Sequence, residues 1–275
     1  MKFGILYNTD YYPEVHGSAS QYYGQILDQV QLEEELGFDA VWFGEHHYSG
    51  YSFGSPPVMA MAAAARTKRI RLGTGVSLIP LNHPIRLAEE YAMLDVLSGG
   101  RLEYGIGRGF LKYSHEIFGV NEDENHERYH EGTEIILKAW TAEGPFSYQG
   151  KFWTLQDYTF FPKPLQQPHP PIILGTLSTK GLHRVVRYCD GWIPTGVSIQ
   201  DLPAAIKDLH ARAEQAGRKP SDVLVSIFGA LNDEAVLRHY QELGVERVVL
   251  TVPSREKDRV LPLLDTYAAF LPTFA

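Results

Sequence analysis

Short apolar runs alternate with stretches of helical periodicity along almost the whole chain. Residues 3–7 make the first run, and the helix expected at 20–36 carries Ile26, Leu27, Val30 and Leu32. Further runs follow at 39–44, 70–78, 101–106, 171–175, 191–195, 223–229 and 247–252. Their helices are expected at 57–67, 84–97, 127–140, 180–188, 202–215, 233–243 and 257–270. Eight strand-helix units with no segment left over predict an α/β fold, a single (β/α)8 TIM barrel over residues 1–275. A doubly wound sheet is the alternative, and it would stop at five or six strands. The longest crossover precedes the fifth strand, with an excursion at about 141–171. Its Pro-rich end follows Phe152, Trp153, Tyr158, Phe160 and Phe161, aromatics that a free tether would not carry, so the excursion is expected to be ordered.

Composition narrows the function classes. A 44% hydrophobic share supports a large core, and a net charge of −8 argues against nucleic acid as partner. No apolar run approaches the roughly 18 residues of a membrane span, and residues 1–4 lead into a strand rather than a signal peptide. The expectation is a soluble, cytoplasmic protein without membrane contact. Cys189 is the only cysteine, which rules out an intrachain disulfide and a Cys-rich metal site.

Candidate chemistry gathers where strands stop. The second run, Ala40-Val41-Trp42-Phe43, ends in Glu45, His46 and His47, at the barrel end where loops assemble active sites. In the third, Gly73 and Gly75 lose packing inside a strand, so either a ligand approaches the backbone or a neighbouring side chain needs the room. The fourth runs into Gly105-Ile106-Gly107-Arg108-Gly109, which departs from the dinucleotide fingerprint but offers Arg108 to a phosphate. The fifth ends in Gly175-Thr176-Leu177-Ser178-Thr179 just before a helix, a backbone-amide nest for phosphate or simply a helix cap. Metal catalysis fits poorly, and no metal is expected. The first strand ends in Tyr7-Asn8-Thr9-Asp10 rather than His-X-His, and adjacent His46 and His47 diverge if extended. His126 and His130 are one helical turn apart, but beside Glu127 and Arg128 they read as helix surface.

Taken together, these motifs resemble the bacterial luciferase-like monooxygenases. The resemblance runs from Gly37-Phe38-Asp39 through Glu45-His46-His47, Gly73-Thr74-Gly75, His83-Pro84-Ile85-Arg86, Leu97-Ser98-Gly99-Gly100-Arg101 and Gly105 to Gly109. It continues in Phe118-Gly119, Gly150-Lys151-Phe152, Pro162-Lys163-Pro164 and Cys189-Asp190-Gly191, covering roughly residues 1–200. The resemblance implies a barrel that binds FMN or the deazaflavin F420 at its carboxyl face. His46, with Glu45 beside it, matches the catalytic position. Gly75-Val76 matches a nonprolyl cis peptide behind the flavin ring, and Arg108, Thr176 and Thr179 match the phosphate grip; Gly107, Gly175 and Ser178 are further cofactor-binding candidates. Luciferase itself has a cysteine where this chain has Gly107 and a glutamate where it has Gly175. Its long lid after the seventh strand is replaced by Ala230-Leu231-Asn232, so light emission is not expected.

The function expected is a two-component monooxygenase. Reduced FMN would come from a separate flavin reductase, and one oxygen atom of O2 would pass to a small, mostly apolar substrate. Tyr7, Trp42, Tyr48 and Tyr104 are the candidates for shaping the substrate pocket. The alternatives are an F420-dependent hydride-transfer enzyme and a flavin-binding protein without turnover. A homodimer is expected through helices after the second and third strands, using the Ala-rich 59–65 face.

Overall fold

The computed structural model describes residues 1–47 and 53–275, so the pocket expectation for Tyr48 lies outside the described residues. Eight parallel strands form the frame: β1 (Lys2–Tyr7), β2 (Ala40–Phe43), β3 (Arg71–Thr74), β4 (Leu102–Gly107), β5 (Ile172–Thr176), β6 (Gly191–Pro194), β7 (Leu224–Phe228) and β8 (Arg247–Thr251). Each pairs with its neighbour in sequence, β8 pairs with β1, and the Leu72–Leu102 register joins β3 to β4, so the sheet closes on itself. A closed (β/α)8 barrel is therefore the fold.

Eight helices surround it: α1 (Ala19–Leu36), α2 (Pro56–Arg66), α3 (Pro84–Ser98), α4 (Asn125–Thr141), α5 (Leu182–Tyr188), α6 (Leu202–Gln215), α7 (Glu234–Glu242) and α8 (Lys257–Ala268). Local chemistry sets their limits. Ser18 and Gln21 close a capping box at the start of α1, and Gly37, at φ 95°, ends it in the left-handed region that glycine tolerates best. The Ala-rich α2 turns Met59, Ala60, Ala63 and Ala64 inward, where small side chains let the helix lie close to the sheet. Most of the 59–65 face expected to meet a partner is thus covered within the chain itself.

Between β4 and β5 the chain forms an antiparallel hairpin, Phe146–Gln149 with Thr154–Tyr158. The Pro-rich segment after it is tied down. Lys163 Nζ donates to the Ala139 and Ala142 carbonyls at 2.6 Å each, and Gln166 Nε2 donates to Asp95 Oδ1 at 2.7 Å.

Inside the barrel the side chains stack in layers. Arg247, Glu103, Asp39 and Arg71 occupy the amino end: Arg247 Nη2 donates to Glu103 Oε1 at 2.9 Å, and Arg247 Nε donates to Asp39 Oδ2 at 2.7 Å. Burial alone would raise the Glu103 pKa, but the charges and hydrogen bonds of Arg247 and Arg71 hold it below its usual value. Above them Leu6, Ala40, Trp42, Ile173, Ile193 and Val249 form an apolar plug. A Cβ on Gly73 would fall inside the Trp42 indole, so of the two readings of that glycine the structure supports room for a neighbouring side chain.

Candidate active site

A cavity of about 720 Å³ opens above this plug at the carboxyl ends of the strands, within the ~300–1,000 Å³ typical of small-molecule sites. Glu45, His46, Gly75, Val76, Gly107, Arg108, Gly175, Thr176 and Ser178 all contribute to its wall. Sequence-distant strand ends thus converge on one space. Thr179 does not reach it; that residue opens the short 3-10 turn Thr179–Gly181 and is exposed.

At one end, β2 delivers the Glu-His-His turn. Glu45 is buried; its Oε2 accepts from the Leu78 amide at 3.0 Å and its Oε1 lies 2.9 Å from His47 Nε2. His47 meets the edge of Phe118 at 4.6 Å between ring centres, while His46 faces the cavity, so the two rings diverge. Burial, reinforced by the neighbouring His47 and opposed by Asp10, pulls the His46 pKa down to about 4. His46 is therefore a neutral imidazole at pH 7.

Val76 forms the centre of the wall. The Gly75–Val76 peptide is cis. A Cβ on Gly175 would lie 2.8 Å from Val76 Cγ1, and one on Gly107 would overlap Val76 Cγ2. Both strand ends lack side chains because the valine occupies that room. Leu6 and Phe228, which a Cβ on Gly75 would approach to 3.1 and 3.0 Å, also line the cavity, so the wall around Val76 is apolar.

The far end is cationic. Arg108 is joined there by Arg184 from α5, which is buried. Arg184 Nε has no hydrogen-bond partner among the described residues, and burial followed by the charge of Arg108 lowers its pKa. Gly181 leaves space for this guanidinium, since a Cβ there would approach Arg184 Nη2 to 3.0 Å. Thr176 Oγ1 accepts from Trp192 Nε1 at 2.8 Å, which leaves its own hydrogen able to donate to a ligand. Two guanidiniums, one with a buried unpartnered N–H, fit a doubly charged phosphate.

Three expectations for the substrate pocket are corrected. Tyr7 points out of the barrel to α1, where its hydroxyl donates to Glu33 Oε1 at 2.6 Å. Tyr104 also points outward, with its ring tilted against Tyr91 at 4.3 Å and edge-on to Trp140 at 5.4 Å between ring centres. Trp42 points inward but is fully buried in the plug, below the cavity and outside its lining. Arg184 was missed. Its sequence signal was a cation in the first turn of a helix, the end where the macrodipole disfavours positive charge and an anion would compensate.

Comparison with known proteins places the chain. The sequence model of the luciferase-like monooxygenases matches residues 1–251. The chain belongs to this family. It is 37% identical over 158 residues to the oxygenase component of a flavin-dependent trigonelline monooxygenase from Acinetobacter baylyi, a match covering 56% of this chain and 43% of that protein. The crystal structure of monooxygenase RslO1 from Streptomyces bottropensis superposes with a TM-score of 0.86 at 27% identity, covering 100% of both chains. An F420-dependent secondary alcohol dehydrogenase shares the fold at TM-score 0.82 and 17% identity, over 100% of this chain and 99% of that one. The chain spans about half the length of the curated relatives it matches, from 43% to 66% for three of them. No helix among the described residues is long and apolar enough to cross a membrane.

Proposed function

We propose that this protein is the oxygenase of a two-component monooxygenase that uses reduced FMN and O2 on a small, mostly apolar substrate. One observation carries the reading: a neutral histidine, an apolar wall built on Val76 and two unneutralised arginines line a single cavity in that order. Arg108 and Arg184 would hold the phosphate, helped by the Thr176 hydroxyl and the Ser178 loop. Val76 would back the ring, with Gly107 and Gly175 giving it room. When bound, reduced flavin supplies the electrons that activate oxygen.

This chain's own side chains do the rest. His46 Nε2 or Nδ1, neutral above about pH 4, accepts or returns a proton at the reacting end. Glu45 is a positioning residue, since both its oxygens are engaged in holding His47 and the chain at Leu78. Leu6, Leu78, Leu174 and Phe228 exclude water and favour an apolar substrate. The connection after β7 is only residues 229–233, so shielding falls to the segment after β4, where Phe110 and Leu111 line the cavity. The named trigonelline relative is an oxygenase component, which supports a separate reductase as partner. For a homodimer, exposed Met93, Val96 and Leu97 on α3 with Val58 on α2 offer an apolar face.

The test is to mix the protein with chemically reduced FMN in air and follow transfer of labelled oxygen from O2 into a panel of apolar substrates. Retention of FMN and labelled product support the reading; failure to retain FMN overturns it. F420-dependent hydride transfer is the second reading. It is favoured by exposed Lys180 and His183 beside the cationic end, which would suit a longer anionic tail. Retention of F420 in place of FMN on ultrafiltration would decide for it.

A further inference from the structure

At the rim of the cavity three histidines from two helices meet. His126 and His130 stand one turn apart on α4, and His183 comes from the first turn of α5. Their ligand nitrogens lie within 4.8 Å of one another. Sequence alone gave only the pair on α4; the third partner is 53 residues further on and becomes a neighbour through the fold.

We propose that His126, His130 and His183 form a binding site for a borderline divalent metal ion of the zinc, nickel or cobalt class, with an open coordination position towards the cavity. Geometry supports this first. Zinc at about 2.0–2.1 Å from tetrahedral nitrogens sets those nitrogens about 3.4 Å apart. His126 Nε2 and His130 Nε2 are separated by 3.4 Å. Completing the set requires the exposed His183 ring to bring its nitrogen from within 4.8 Å of the others to about 3.4 Å.

The hydrogen bonds behind the rings point the same way. Glu134 Oε1 takes hydrogen bonds from Arg187 Nη2 at 2.8 Å and from the Tyr188 hydroxyl at 2.9 Å. A carboxylate can only accept, so the Tyr188 hydroxyl has spent its one hydrogen and must accept from His130 Nδ1, 3.0 Å away. His130 Nε2 is thereby left with its lone pair towards His126. His183 Nδ1 donates to the Lys180 carbonyl at 2.9 Å, which fixes its lone pair on Nε2 as well. A carboxylate or carbonyl behind a histidine that locks the far nitrogen as ligand is the arrangement found around bound metals.

The charges facing the cluster are mixed. Arg108, Arg184 and Arg187 act on it from the cavity side and from α5, against Glu127 and Glu134 on α4. A metal bound there would therefore draw an anionic oxygen into its open position, on the side where the two cavity arginines already favour one.

The experiment uses chelator-treated, flavin-free protein titrated with Zn2+ by calorimetry and with Co2+ by visible absorption. One ion per chain is expected, with the intense visible bands of low-coordinate cobalt. His183→Gln and His130→Gln should each weaken binding by about 10–100-fold, whereas His239→Gln on α7 should not change it. Tyr188→Phe, which keeps all three ligands, should weaken it about tenfold by releasing the His130 tautomer. Absence of stoichiometric binding overturns the proposal, and so does equal affinity in the wild type and His183→Gln, which would reduce the site to the pair on α4. Because no flavin is present, metal binding without FMN retention, or the converse, separates this proposal from the proposed function.

Discussion

The barrel carries a pair of arginines at each end, and their surroundings are opposite. At the amino end Arg247 and Arg71 are neutralised by Glu103 and Asp39, all within hydrogen-bond reach. At the carboxyl end Arg108 and Arg184 face the cavity, and the one carboxylate among the described residues lining it, Glu45, is taken by His47 and Leu78. A buried charge must be compensated somewhere. At the bottom the chain provides the compensation and the charges hold the fold together. At the top the proposed phosphate of the cofactor would supply it.

The sharpest way to break this contrast is to exchange the outcomes. Arg247→Met leaves Glu103 buried with only Arg71, and the expected loss is ~3–5 kcal/mol in urea unfolding. FMN affinity of the folded fraction should stay within a factor of about three. His46→Gln, at the top, should leave the urea midpoint in place and lower turnover by about 100-fold with FMN affinity kept. In the wild type the acid limb due to His46 should fall near pH 4. Its folded pKa is depressed from 6.5, so the unfolded chain binds the extra proton between those values and stability rises with pH across that window.

Arg184→Ala should weaken FMN by about 10–100-fold, the loss of one charged hydrogen bond, while the melting temperature holds or rises as repulsion from Arg108 is relieved. A melting temperature that fell as far as in Arg247→Met would end the distinction between the two ends. The smallest effect concerns a third buried carboxyl. Glu33 has no cation beside it among the described residues, and burial raises its pKa to about 8 despite the Tyr7 hydrogen bond. The folded protein then holds a proton that the unfolded chain releases, so stability falls as pH rises from about 4.5 to 8. Glu33→Gln should stabilise more at pH 8 than at pH 5, about 2–4 °C in melting temperature for each kcal/mol relieved.

The frame of the molecule was legible because parallel barrel strands are continuous apolar runs and each run has its helix. The eight strands fall where the runs are, and His46 and Arg108 reach the cavity from strand ends that the sequence marked. Side-chain direction was not legible, for the same reason. A strand buried on both faces shows no alternation, and β2 is buried at all four positions, as is β4 at all six. Nothing in Tyr7 or Tyr104 could tell inward from outward, and both point to helices. Gly73 was ambiguous because its partner, Trp42, comes from the neighbouring strand β2, paired with it only once the sheet has formed. Arg184 and His183 sit in a helix that reads as ordinary surface, and only the contact between α4 and α5 gives them company.

The Trp42 plug has a consequence for traffic. Fully buried and wedged against Gly73, it closes the barrel on the amino side, so the cavity has a floor. A tricyclic ring settled along Val76 would stand between that floor and the mouth. On the proposed function, cofactor and substrate would both enter from the carboxyl side, and the one bound nearer the mouth would have to leave first.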